Sequence, residues 1–126
     1  MILVDTSVWI DYLRAGDSEL AGLLQDGQVL VHPWVIGELA LDHLPRRSEI
    51  LGLLDNLPQA TVATDVEVRT LIDNQLFGLG LGYVDAHLLA ATMLTAGARL
   101  WTRDKRLAAV AAQCHQRQAA SGHQLP

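Results

Sequence analysis

The sequence predicts an α/β fold, a sandwich of helices around a mainly parallel sheet of four to five short strands. Three observations predict it. Short aliphatic runs alternate with segments of helical spacing along the chain, the pattern of parallel strands joined by helical crossovers. Half of the 126 residues are apolar and only 18% are charged, a composition that supports a packed core. No internal repeat and no linker divides the chain, so residues 1–126 read as a single domain.

The first strand is Met1-Ile2-Leu3-Val4, ending on Asp5, and Thr6 and Ser7 can start a helix. Val8, Trp9, Tyr12 and Leu13 follow at helical spacing, with a stop near Gly16. Asp17 can cap a second helix that carries Leu20, Leu23 and Leu24 on one face and stops at Gly27. Val29-Leu30-Val31 is a second strand, and Pro33 suits the first turn of a helix from Trp34 to Leu44. That helix is apolar nearly all round, which predicts burial. Pro45-Arg46-Arg47 breaks the pattern, and a helix with Ile50, Leu51, Leu53 and Leu54 runs up to Pro58.

Ala60-Thr61-Val62-Ala63 is the candidate third strand. Thr64 and Glu67 have the spacing of a capping box and open a helix with Val68, Leu71, Ile72 and Leu76 inward. The glycine-punctuated stretch Phe77–Tyr83 follows a helix rather than a strand. It therefore reads as a loop that lets the next helix pack closely before it reads as a phosphate cradle. The helix from Val84 to Ala96 is apolar on most sides and is capped by Gly97. Ala98–Thr102 is the fourth strand, and Lys105–Ala112 the last helix. Residues 113–126 are polar, and the expectation for them is a loose tail or one edge strand.

Composition narrows the function. No apolar run reaches the ~20 residues that span a bilayer, and no basic leader precedes the first strand, so a soluble cytoplasmic protein is expected. Cys114 is the sole cysteine, which excludes an intrachain disulfide and a cysteine-cluster metal site. The five histidines show no i, i+4 pair and predict no histidine-built zinc site. A net charge of −5 argues against nonspecific coating of nucleic acid, but not against an enzyme with a local basic rim.

Four acids stand out among 14. Asp5 and Asp104 follow strands at their carboxyl ends, where α/β folds place ligands. Asp85 lies in the first turn of the most apolar helix, and Glu38 in a helix that offers it little polar face. Taken singly, Asp5 reads equally well as a helix cap, Asp85 and Asp104 read first as caps, and Glu38, harder to dismiss, could be an acid at the rim of a buried helix. Taken together they predict a shared cleft. Four carboxylates so placed raise one another's pKa, and a hard divalent cation removes the conflict.

The stretches LVDTSVWIDYL, VIGELAL, LGYVDAHLLAATML and LWTRDKRLA, in this order and with one acid each, resemble the PIN-domain ribonucleases. They are most similar to the VapC-type toxins of bacterial toxin–antitoxin pairs, over about residues 1–112. The resemblance implies a PIN-like three-layer α/β/α sandwich. Asp5, Glu38, Asp85 and Asp104 match the family's acidic quartet, and Thr6 and Thr102 its hydroxyls beside the first and last acid. The one departure is that a fifth strand is hard to see after Cys114.

The resemblance further implies Mg²⁺-dependent hydrolysis of RNA, with Mn²⁺ as the alternative ion. Asp5, Asp85 and Asp104 would hold one or two ions, with Glu38 as a further ligand or as the group orienting water. Thr6 or Thr102 would bond a carboxylate or the phosphate, and Arg103, Lys105 and Arg106 would neutralise the RNA backbone. For any one of these cations a solvated first turn is an equal reading. Arg14, Arg46 and Arg47 are outer candidates, and Trp9, Trp34 and Trp101 read as core or interface. The implied partners are RNA, an antitoxin whose C-terminal segment covers the cleft, and a second copy of the chain, through helices around Ile50 and Ile72.

Two other classes remain open at this stage. One is a phosphoryl-transfer enzyme with Asp5 as nucleophile, although the second acid expected two residues on is Ser7 here. The other is a non-catalytic interaction module.

Overall fold

The computed structural model describes residues 1–120. Its sheet has the order β2-β1-β3, all parallel, with β1 (Ile2–Val4) in the middle, β2 (Val29–Leu30) on one side and β3 (Arg99–Trp101) on the other. Leu3 pairs with Leu30 and with Leu100. Leu3 and Val4 are fully buried, as expected of a central parallel strand covered on both faces.

Helices α1 (Thr6–Ala15), α2 (Ser18–Gln25), α3 (Pro33–Ala40) and α4 (Arg47–Asp55) follow β1 and β2 in sequence. Then come α5 (Asp65–Leu71), a π-helical segment (Ile72–Leu76), α6 (Tyr83–Leu94) and α7 (Lys105–Ala120). Two hydrophobic clusters result. One joins the sheet to α1–α4 through Trp9, Leu20, Val35, Leu39 and Leu54. The other joins α5, α6 and α7 through Val68, Leu71, Leu107, Val110 and Cys114. Helix α6 serves both, giving Leu88 and Ala91 to the first and Leu89, Ala90 and Met93 to the second. Burial of so many apolar side chains, at ~25 cal/mol per Å², is the main force that holds it centrally. No helix among the described residues is long and apolar enough to cross a membrane.

The local signals largely produce the elements they predict. Asp17 caps α2 through Leu20 N–H, and Thr64 and Glu67 form a reciprocal capping box on α5. Gly16, at φ 79°, ends α1 in a backbone region that few other residues enter.

Several expectations are corrected. The described sheet has three strands, not four or five. Residues 60–63 form no strand: Val31 pairs with Gln59 in one isolated bridge, and Thr61 N–H then turns away to the Thr95 hydroxyl. Residues 113–120 are neither tail nor edge strand, because α7 continues to Ala120. Buried Leu107, Val110 and Cys114 give it one narrow apolar face, which alanines and glutamines extend without adding hydrophobicity. The expectation for residues 121–126 lies outside the described residues.

Helix α3 stops at Ala40 rather than Leu44, since the Arg47 guanidinium donates twice to the Ala40 carbonyl at 3.0 and 2.7 Å. It is also far less buried than its composition suggested: only Val35 and Leu39 are enclosed, and Leu41 is 89% exposed. The helix after Thr64 is not regular to its end, because Phe77 N–H reaches back five residues to the Ile72 carbonyl. Finally, α6 ends on Thr95, and Gly97, at φ 73°, makes the turn into β3.

Candidate active site

Asp5 is where the strands and the site meet. Its backbone N–H continues the β1–β3 ladder by donating to the Trp101 carbonyl at 2.9 Å. Its side chain is the N-cap of α1, with Oδ1 accepting the Thr6 N–H at 2.8 Å. The cap and the site role that the sequence left open for Asp5 thus fall on the same side chain. The hydroxyls of Thr6 and Ser7 turn towards acids. Ser7 Oγ donates to Asp5 Oδ2 at 2.9 Å, and Thr102 Oγ1 donates to the same oxygen at 2.7 Å. A carboxylate accepting this many hydrogen bonds is fixed in one rotamer.

The other three acids arrive from separate elements. Asp104 follows β3 and caps α7, its Oδ1 accepting the Leu107 N–H at 2.9 Å, while its own N–H donates to Thr102 Oγ1 at 3.1 Å. Asp85 is in the first turn of α6, and the Gly82 N–H reaches its Oδ2 at 3.4 Å. Glu38 comes from α3, and its Oε1 accepts the Thr6 hydroxyl at 2.6 Å. The capping roles and the convergence are therefore both real. Glu38, however, is exposed; it does not sit in apolar surroundings.

The electrostatics report the convergence directly. The Asp85 carboxyl is raised above its ordinary pKa, first by burial and then by the negative charges of Asp5, Asp104 and Glu38, with the Gly82 N–H opposing. All four acids thus share one field. Among the described residues no protein donor reaches Asp85 Oδ1, Asp104 Oδ2 or Glu38 Oε2. Also among them, no three acid, histidine or cysteine side chains close into a finished metal cage. Open carboxylate oxygens, one field and hydroxyl-braced Asp5 fit an all-oxygen site that a hard cation would draw together.

The cations divide by what already holds them. Arg103 donates to Asp11 at 3.1 Å and to Asp17 at 2.8 Å, and lies 5.3 Å over the Trp101 ring. It is a strut between β3 and the α1–α2 corner. Arg106 lies across Gly80, donating to its carbonyl at 3.4 Å; a side chain on Gly80 would collide with the guanidinium, and φ is 75° there. Among the described residues no acid pairs with exposed Lys105. Arg14 pairs with Asp42, Arg46 with Glu49, and Arg47 caps α3. Ile50 and Ile72, suggested as interface, are half-buried against the chain's own two clusters.

Two features escaped the sequence. Ser7 is a hub, since its Oγ also accepts the Arg103 N–H at 3.0 Å; the hydroxyl two residues past Asp5 was the available signal. His32 and His87, far apart in the chain, pack with ring centroids 6.4 Å apart. His32 caps α3 by accepting the Trp34 N–H at Nδ1, and burial followed by the nearby His87 lowers its pKa to about 4.

The class that this fold and this quartet define is the PIN domain: the family described by that name matches residues 2–113, and the chain belongs to it. It is of the VapC type, being 54% identical over 114 residues to Ribonuclease VapC32 of Mycobacterium tuberculosis, in both strain CDC 1551 / Oshkosh and strain ATCC 25618 / H37Rv. The match covers 90% of this chain and 92% of each relative.

Proposed function

We infer that this chain is an endoribonuclease, the toxin of a toxin–antitoxin pair, that hydrolyses RNA phosphodiester bonds at Asp5, Glu38, Asp85 and Asp104. The activity is supported by its 54% identity to a protein named as a ribonuclease of the VapC type. The observation that carries the site assignment is the field of Asp5, Asp104 and Glu38 felt at Asp85. VapC-type PIN ribonucleases are generally metal-dependent. Here Asp5, Asp85 and Asp104 are the proposed ligands, and the oxygen-only donor set favours Mg²⁺, with Mn²⁺ able to replace it. Such a cation, when bound, lowers the pKa of water and offsets charge on the phosphate.

The chain's own groups do the positioning. Ser7, Thr6 and Thr102 hold Asp5 in one orientation, and Thr6 holds Glu38 by one oxygen, leaving Oε2 to orient the attacking water. Thr6 and Thr102 therefore brace carboxylates in place of touching phosphate. Lys105 and Arg106, at the start of α7, are the proposed backbone contacts, whereas Arg103 is occupied by Asp11 and Asp17. In-line attack of water on phosphorus leaves a 5′-phosphate and a 3′-hydroxyl. Asp5 as a phosphoryl-accepting nucleophile has no support, because Oδ2 already accepts two hydroxyls.

Residues 1–126 are read as one PIN domain acting on RNA in the cytoplasm. Its proposed partners are a VapB-like antitoxin covering the acidic cleft and a second copy of the chain. Purified protein should cleave structured RNA with Mg²⁺ or Mn²⁺ and stop with chelator. Asp5→Asn should abolish cleavage with the fold intact by circular dichroism; full activity in that variant would sink the mechanism.

A further inference from the structure

Two large aromatic rings stand in solvent beside the acids. Trp34 is 37% exposed and Tyr83 44%, with ring centroids 6.0 Å apart. Both rest on His87, which is only 2% exposed: the indole lies 4.0 Å from the imidazole at a tilt of 36°, and the phenol meets it edge-on at 4.8 Å. Asp65 holds the far side, accepting the Tyr83 hydroxyl at 3.3 Å and lying 3.6 Å from His87 Nε2. The rings are therefore supported from beneath and at the edge, yet left in water, where exposed apolar area is unfavourable.

Their position is as informative as their exposure. Trp34 and Glu38 are four residues apart on α3 and share a face. Tyr83 opens α6, whose third residue is Asp85. Thr6 ties Glu38 to Asp5. One face of the indole rests against His87 and the His32 ring meets it edge-on at 6.3 Å, yet 37% of Trp34 stays in solvent, tilted 50° to Tyr83. A flat ring can stack on the exposed part of either side chain, and the two stand close enough to receive neighbouring bases.

We propose that Trp34 and Tyr83 form a stacking platform for an unpaired RNA base next to the phosphodiester that is cut. It rests on the ribonuclease function above. Unpaired bases are commonly held by stacking on aromatic side chains, and every base offers a face to stack. A chain of net charge −5 has few phosphate contacts to draw on, so stacking supplies affinity that charge does not.

The test uses the full chain carrying Asp5→Asn, so that RNA stays intact, and a mixed-sequence single-stranded 20-nucleotide RNA as probe. Tryptophan fluorescence should fall on binding, because a base stacks on Trp34, whereas Trp9 is buried and Trp101 is half-buried beneath Arg103. Trp34→Phe should abolish most of that quenching while keeping affinity within about threefold, since a ring remains. Trp34→Leu and Tyr83→Leu should each weaken binding about tenfold. An abasic RNA of equal length should bind as weakly to the parent as the intact RNA binds to Trp34→Leu.

Unchanged affinity in Trp34→Leu and in Tyr83→Leu would overturn the platform. So would loss of affinity for a protein partner alone. Neither result touches the nuclease, which is judged separately by cleavage with Asp5 restored. Absence of cleavage with Asp5 restored, together with absence of RNA binding in the Asp5→Asn chain, would overturn both.

Discussion

Helices α3 and α6 each bring one acid to the site, from opposite settings. Helix α6 buries seven of its twelve residues and stands between the two hydrophobic clusters. Helix α3 encloses only Val35 and Leu39 and leaves Trp34 and Leu41 in solvent. Asp85 accordingly sits at the margin of the core, where burial and three neighbouring charges raise its pKa. Glu38 sits in water, steered by one hydroxyl. One wall of the site is rigid and electrostatically tuned; the other is a surface helix with apolar side chains to spare. The proposed base platform lies where the two meet.

Substitutions can break or sharpen this contrast. The largest effect should come from the rigid wall: Leu88→Ala, at a fully buried position, should cost about 2–5 kcal/mol in urea unfolding. His32, which packs against His87, comes next. His32 has its pKa lowered to about 4, so unfolding is coupled to proton uptake, and stability present above pH 6.5 is lost as pH falls from 6.5 to about 4. His32→Asn keeps an α3 cap and should flatten that acid limb in melting curves from pH 7 to 4.

Asp85→Asn should abolish cleavage yet raise the melting temperature of chelator-treated protein at pH 7.5. The sign follows from the raised pKa: the ionised form is disfavoured in the folded state, and the penalty disappears as pH falls below the unfolded value near 3.9. The gain should stay below about 1 kcal/mol, because the group is partly solvated. At the small end, Leu41→Ala on the surface helix should change stability by less than about 0.5 kcal/mol. A loss as large as that of Leu88→Ala would erase the distinction.

What could be read beforehand was mostly local. Asp17, Thr64 and Glu67 announce helix starts because capping needs only a few neighbouring residues. Asp5, Asp85 and Asp104 were legible because each marks a helix start, two of them just past strands. What failed was tertiary. Whether Ala60–Ala63 pairs depends on what lies alongside it; Pro58 and Ala60 bond Val31, and the Thr61 N–H already turns to Thr95. Glu38 was chosen for a burial it does not have; its place beside Asp5 comes through Thr6, a contact no periodicity reveals. The meeting of His32 and His87 is likewise set by how α3 packs on α6, and the brace from Arg103 to Asp11 and Asp17 by how the end of β3 meets the α1–α2 corner.

The short sheet has a consequence for how the protein behaves in a crowd. Its β3 margin is three residues long, carries the exposed cation Arg99 and is packed by α7, while β2 is two residues long and Val31 just past it bridges Gln59. A short, charged border is poor template for another chain's backbone. Concentrated samples should therefore stay free of fibrils, and any self-association should run through helical side chains.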